Sequence, residues 1–208
     1  MILVALTVHE LAHASVALLL GDDTAQRAGR ITLNPLRHVD PIGFLMLVLI
    51  GFGWAKPVTF DRKKLRRPVR DEIVISFAGP VSNLILAVVG AVGLRLIVSA
   101  SAAGGLEGTG GLSGASELAT DAALMFCVIN VALAVFNSIP LPPLDGSHLY
   151  MSVLTERNPQ AAQTVSKYGA GLLLGLIIVG RMTGTNLLPI GSAIDAVFRA
   201  VLALVGLG

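Results

Sequence analysis

The stretch Thr7-Val8-His9-Glu10-Leu11-Ala12-His13-Ala14 lies inside an almost unbroken apolar run from Met1 to Leu20. Positions four apart on a helix lie nearly above one another. His9 and His13 can therefore offer two imidazoles to one metal ion, and Glu10 can reach a water held beside them. An ionisable side chain at the centre of a membrane helix costs roughly 2.5–3.5 kcal/mol on insertion scales. Three of them within a turn and a half call for a compensating partner, and zinc would be one.

That apolar setting extends to the whole chain. Only 13% of the 208 residues are charged, against about 25% in an ordinary soluble domain. An integral membrane protein follows, with length for one compact domain. The net charge of +2 gives no support to a nucleic-acid partner. Cys127, the only cysteine, sits in an apolar segment and reads as a buried, inert thiol. The first stretch has no basic start, and Gly21-Asp22-Asp23 is a poor cleavage site, so it reads as a retained helix rather than a signal peptide.

Residues 1–20 are long enough to span a bilayer. Arg30 to Asn34 alternates polar and apolar residues and predicts a short strand. Residues 42–53 are apolar but too few to span, which predicts a re-entrant or interfacial segment with Trp54 as its anchor. Residues 56–60 read as a second strand. Arg62, Lys63, Lys64, Arg66, Arg67 and Arg70 make a basic loop suited to anionic headgroups. Ile73 to Ala100 is a second span, with Arg95 placed to snorkel. A Gly- and Ser-rich loop at 101–117 leads to a third span, Leu118 to Ile139. A fourth starts at Tyr168, and Leu187 to Gly208 is either a fifth span or a helix along the interface. The expected fold is an all-α polytopic membrane protein with four to six transmembrane helices, a small membrane-associated β-hairpin and a re-entrant segment. It forms a single domain over 1–208, with its catalytic core in about 1–150 and C-terminal helices in 151–208.

Ten of the 15 Lys and Arg residues lie between Gly21 and Asp71, and none between 101 and 117. The positive-inside rule then makes the 21–71 loop cytoplasmic and the N-terminus external. Span 3 ends on the same side as helix 1. There the chain reads Asn137-Ser138-Ile139-Pro140-Leu141-Pro142-Pro143-Leu144-Asp145-Gly146. Prolines stop the helix, and irregular backbone at membrane depth is tolerated where it is buried in protein or lines a cavity. Asp145 sits in that break and can complete a three-ligand zinc set; Gly146 permits a tight turn. An Asp-Gly surface turn is the plain alternative.

These motifs resemble the site-2 protease family of intramembrane zinc metalloproteases. His9-Glu10-Leu11-Ala12-His13 is similar to its metal motif, and Asn137, Pro140, Asp145 and Gly146 to its second. Phe77-Ala78-Gly79-Pro80-Val81-Ser82-Asn83 resembles a third block. Ile31 to Pro35 and Gly53 to Val58 are similar to the compact prokaryotic branch, which lacks a PDZ-like insert and a C-terminal regulatory module. The resemblance implies one Zn²⁺ held by His9, His13 and Asp145, with Glu10 as general base and Asn137 holding substrate backbone or oxyanion. Its substrates would be transmembrane segments of other proteins in the lipid bilayer. A membrane metal-ion transporter using the same His and Asp residues is the alternative. The strands at 30–34 and 56–60 could pair with an extended substrate or with each other. Asn83 and Asn130 read chiefly as helix-packing residues, with a lesser reading of Asn83, in its Gly79-Pro80 context, as a support behind the metal ligands; His38 reads as a loop histidine, and His148 as a residue at a helix start with a rival claim on the metal.

Overall fold

A computed structural model describes residues 1–50, 55–102, 112–185 and 187–207. Among the described residues eight α-helices follow one another: α1 (Ile2–Leu19), α2 (Thr24–Arg27), α3 (Pro41–Ile50), α4 (Pro68–Ala102), α5 (Leu112–Asn137), α6 (His148–Arg157), α7 (Pro159–Thr183) and α8 (Ile190–Leu204). Four carry stretches long and apolar enough to cross a membrane: Ile2–Leu19, Pro68–Ala102, Gly114–Asn137 and Pro159–Gly180.

Local chemistry sets the helix ends. Gly21, at φ +106, turns the chain away from α1. Helix α4 opens on Pro68, and the Asp71 carboxylate in its first turn accepts the Arg67 N–H at 2.8 Å. Helix α5 stops at Asn137, just before Pro140 and the cis Pro142-Pro143 bond. The Asn158 side chain caps α7 through the Ala161 N–H at 3.0 Å, and Gly184 in the left-handed region ends that helix.

Helix α4 is the spine. It packs along α1 on one side and α5 on the other. Ala17 near the end of α1, Leu65 and Ile75 make one buried cluster, which brings the end of α1 to the start of α4. Ala87 and Ala91 of α4, Cys127 and Val131 of α5, and Val201 and Val205 of α8 make another. Helix α8 has 15 residues and covers roughly 22 Å, too short to span. It is a cover on α4 and α5 rather than a fifth span. Asp195 and Arg199 pair at 3.0 Å on its exposed face.

Other expectations are corrected. The β-hairpin is absent: among the described residues, pairing is limited to a single bridge between Val39 and Ala55. Buried Arg30 takes the place of a ladder, donating to the carbonyls of Arg37 and Lys56 and so tying 30–38 to 55–58 by side chain. The alternation at 30–34 has a different cause. Leu33 faces outward, 68% exposed, while Arg30 is inside. The re-entrant reading of 42–53 is not supported either, since Pro41–Ile50 is a plain helix; 51–54, Trp54 included, lie outside the described residues, as do 103–111 of the Gly-Ser loop. Arg95 donates to the Val205 carbonyl at the end of α8.

Candidate metal centre

His9 and His13 are buried on the face of α1 turned to α4, at 4% and 7% exposure. The two Nε2 atoms stand 3.1 Å apart. Asp145 Oδ2 lies 3.1 Å from His9 Nε2 and 3.4 Å from His13 Nε2. The three donor atoms thus form a small triangle. Zinc–ligand distances of about 2.0–2.1 Å in a tetrahedron imply ligand–ligand edges of about 3.3 Å. The two sets of distances agree.

The outer nitrogens show what the inner ones are free to do. His13 Nδ1 lies 2.7 Å from the Ile75 carbonyl oxygen, and His9 Nδ1 lies 2.6 Å from Asn83 Oδ1. An oxygen opposite each Nδ1 accepts a hydrogen bond from Nδ1–H, which keeps the proton on that nitrogen and leaves a lone pair on each Nε2. Asp145 Oδ2 is buried with no hydrogen-bond partner. Two lone pairs and an orphaned carboxylate oxygen converging in a buried place repel one another unless a cation joins them. The donor set fits zinc or a similar divalent metal.

The backbone around the triangle is shaped for it. A Cβ on Gly79 would stand 2.5 Å from His9 Cε1 and 2.6 Å from His9 Nε2, and would also collide with His13 Nε2. Glycine there lets α4 approach the ligands. Gly146 has a similar role: a Cβ would run into the Ser138 carbonyl and come within 2.7 Å of the Ile139 oxygen. Asp145–Ser147 is a 3-10 turn, so Gly146 is required by close approach and not by a left-handed turn.

Glu10 is buried at 7% exposure. Its Oε2 accepts the Val58 N–H at 3.1 Å and lies 3.9 Å from Arg30 Nη2. A cavity of about 120 Å³, enough for a few waters, is lined by Glu10, His13 and Asp145 with Val58, Phe60 and His148 among its other walls. His148 reaches the cavity but is not in the triangle; its Nδ1 lies 3.0 Å from Glu72 Oε1, and Arg62 holds the other Glu72 oxygen at 3.0 Å. Asn137 is not brought to the triangle: its Nδ2 donates to the Leu133 carbonyl at 3.0 Å, one turn back on α5. His38 is a buried loop residue, its Nε2 2.8 Å from the Thr32 carbonyl oxygen. Sequence reasoning missed Arg30 and Val58. Nothing local distinguishes Arg30 from its basic neighbours, and Val58 acts through a backbone amide that every sequence has.

Comparison with known proteins places the arrangement. The description Peptidase family M50 matches residues 113–179, the stretch carrying Asn137 and Asp145. YwhC of Bacillus subtilis (strain 168), which bears the name of a zinc metalloprotease, is 38% identical over 180 residues, 85% of this chain and 78% of YwhC. Rip2 of Mycolicibacterium smegmatis (strain ATCC 700084 / mc(2)155), named likewise, is 27% identical over 85% of this chain and 64% of its own length. Rip2 of Mycobacterium tuberculosis (strain ATCC 25618 / H37Rv) is 26% identical over 88% of this chain, which spans 66% of that relative. No solved structure matches. At the identity and coverage shared with YwhC, and with the motifs in place, the chain belongs to peptidase family M50, the site-2 proteases.

Proposed function

We propose that this protein is an intramembrane zinc metalloendopeptidase that hydrolyses peptide bonds in or near transmembrane segments of other membrane proteins. The observation that carries the proposal is the buried triangle of His9 Nε2, His13 Nε2 and Asp145 Oδ2, with both Nδ1 atoms already engaged. In this reading the three side chains hold one zinc ion per chain. The ion would acidify a water and polarise the scissile carbonyl.

The chain's own residues do the rest. Glu10 takes the proton from the attacking water and delivers it to the leaving amine. Its Oε2 accepts the Val58 N–H, and the same side chain lines the cavity where that water would sit. Arg30 lies near enough to favour the charged, proton-accepting form of Glu10. A substrate helix hides its amides in its own hydrogen bonds and must unwind to present one. Asn137 could hold that freed backbone once its amide leaves the Leu133 carbonyl. His9 and His13 lie ten and six residues before the end of α1, roughly 15 and 9 Å below it. Water reaches the site from that end, which the basic 21–71 loop makes cytoplasmic, with the N-terminus external.

The alternative, a membrane metal-ion transporter, draws no support from the comparisons, which name peptidases. The deciding experiment compares wild type with Glu10→Gln in bound zinc and in cleavage of a membrane-helix substrate. Zinc retained in both, with cleavage lost in the variant, is the expected result. Metal flux into liposomes that survives the substitution, without any cleavage, would overturn the proposal.

A further inference from the structure

Two buried asparagines stand behind the triangle, one on α4 and one on α5, and both are fully inaccessible to water. Between apolar helices such a pair ordinarily reads as interhelical glue, worth about 0.6 kcal/mol on average. Glue of that kind works with the amides in either orientation. Here only one orientation satisfies every atom.

Asn130 Nδ2 faces the Phe126 carbonyl oxygen at 2.8 Å. A carbonyl oxygen can only accept, so the amide nitrogen of Asn130 is the group placed there. Asn130 Oδ1 therefore faces across to α4, where Asn83 Nδ2 donates to it at 2.9 Å. The second hydrogen of Asn83 Nδ2 points to another obligate acceptor, the Ala5 carbonyl on α1, at 3.3 Å. Both backbone carbonyls thus fix the amides independently. Flipping Asn83 would set its oxygen against two oxygens. Its Oδ1 is left facing His9 Nδ1 at 2.6 Å, and that nitrogen must carry a proton.

We infer that Asn130 and Asn83 form a one-way hydrogen-bond relay that locks His9 as the Nδ1–H tautomer and keeps its Nε2 lone pair aimed at the metal position. They are positioning residues acting through His9; that their target is a metal ligand rests on the function proposed above. Partners of this kind typically change metal affinity 10–100-fold when removed. His13 reaches the same tautomer by a different route, donating to the Ile75 backbone carbonyl with no side chain involved. It is an internal control that no Asn substitution touches directly.

The test is proton and nitrogen NMR on ¹⁵N-histidine-labelled protein, with and without added Zn²⁺, alongside zinc affinity by chelator competition. Wild type is expected to show slowly exchanging Nδ1–H signals from both His9 and His13. Asn83→Leu should erase the His9 signal, spare that of His13, and weaken zinc binding 10–100-fold. Asn83→Asp, nearly isosteric, keeps an acceptor opposite Nδ1 and should keep the His9 signal. If Asn83→Leu does not fold, Asn130→Leu replaces it and should broaden or shift the His9 signal alone. A His9 signal indifferent to Asn83 would overturn the relay. So would equal loss of both histidine signals, which would assign the asparagines to packing. Failure of the metal reading looks different: zinc would move neither histidine in the wild type. The metal-free His9 signal, present in wild type and absent in Asn83→Leu, would then support the relay by itself.

Discussion

Helices α4 and α5 meet along one seam whose two halves obey different rules. In one half Asn83 bonds Asn130, and the polar contacts continue to His9. In the other, the side chains of Ala87, Ala91, Cys127 and Val131 pack with Val201 and Val205 of α8 in one apolar cluster. The apolar half needs only shape, which small residues supply for close helix packing. The polar half holds groups that are expensive in a membrane, and it tolerates them because each is hydrogen-bonded. The difference locates chemistry: membrane helices associate well enough without asparagine, so the polar half serves the site beside it.

If the polar half exists for chemistry, its sharpest test is Glu10→Gln. Cleavage should fall at least 10²–10⁴-fold, the usual worth of a general acid–base group, with bound zinc retained. Parallel loss of zinc would instead make Glu10 part of the ligand scaffold.

A matched pair of glycines on α4 compares the halves directly. Gly79→Ala should abolish zinc binding in the purified protein, because the added methyl enters the space of both imidazoles. Gly90→Ala meets Phe126 Cδ1 at 3.1 Å and the Cys127 amide nitrogen at 3.3 Å, a milder crowding. The roughly 1 kcal/mol helix preference for alanine over glycine offsets it. Thermal unfolding should move little and zinc content should be unchanged. Equal damage from the two substitutions would erase the distinction between the halves.

The smallest effect lies outside the seam, in the polar loops over it. Asp22 accepts the Asp61 N–H at 2.6 Å and the Thr24 N–H at 2.9 Å, tying 21–24 to 61–64. Burial alone would raise its pKa; the Thr24 hydroxyl, the two amides and nearby Lys64 more than reverse this and hold it below the usual carboxylate range. A depressed carboxylate stabilises the fold above its unfolded pKa, about 3.9, and that contribution is lost as pH falls through the folded value. Wild type should therefore lose protease resistance in the 21–64 loops below about pH 4. Asp22→Asn should be more easily cut at neutral pH and respond less to acid. The helical seam should be indifferent to both changes.

The sequence was most legible where a motif and its membrane setting reinforced each other. His9, Glu10 and His13 stand out because four-residue spacing and burial cost are both local facts, and Asp145 followed from a proline break that any chain would have to accommodate. The four candidate spans were readable from apolar length. What failed depended on distant partners. The alternation at 30–34 resembled a strand because pattern alone does not say which side is inside, and Arg30 went inward to reach Lys56 and Glu10. Asn83 and Asn130 could be seen as unusual but not as paired, since 47 residues separate them. Gly146 was recognised as necessary for the wrong reason: the constraint is the proximity of Ser138 and not its own backbone angle.

One contact at the cavity wall carries a kinetic consequence. Glu10, the residue proposed to receive a proton, also fastens Val58 at the cavity wall through its Oε2. The cavity behind it, about 120 Å³, has room for a few waters and is too small for a stretch of unwound peptide. Admitting a peptide therefore requires the 55–60 segment to move, and that movement breaks the Val58 bond to the carboxylate. Slowing or speeding the opening of the 55–60 segment should then move turnover with it, as loop opening does in many enzymes.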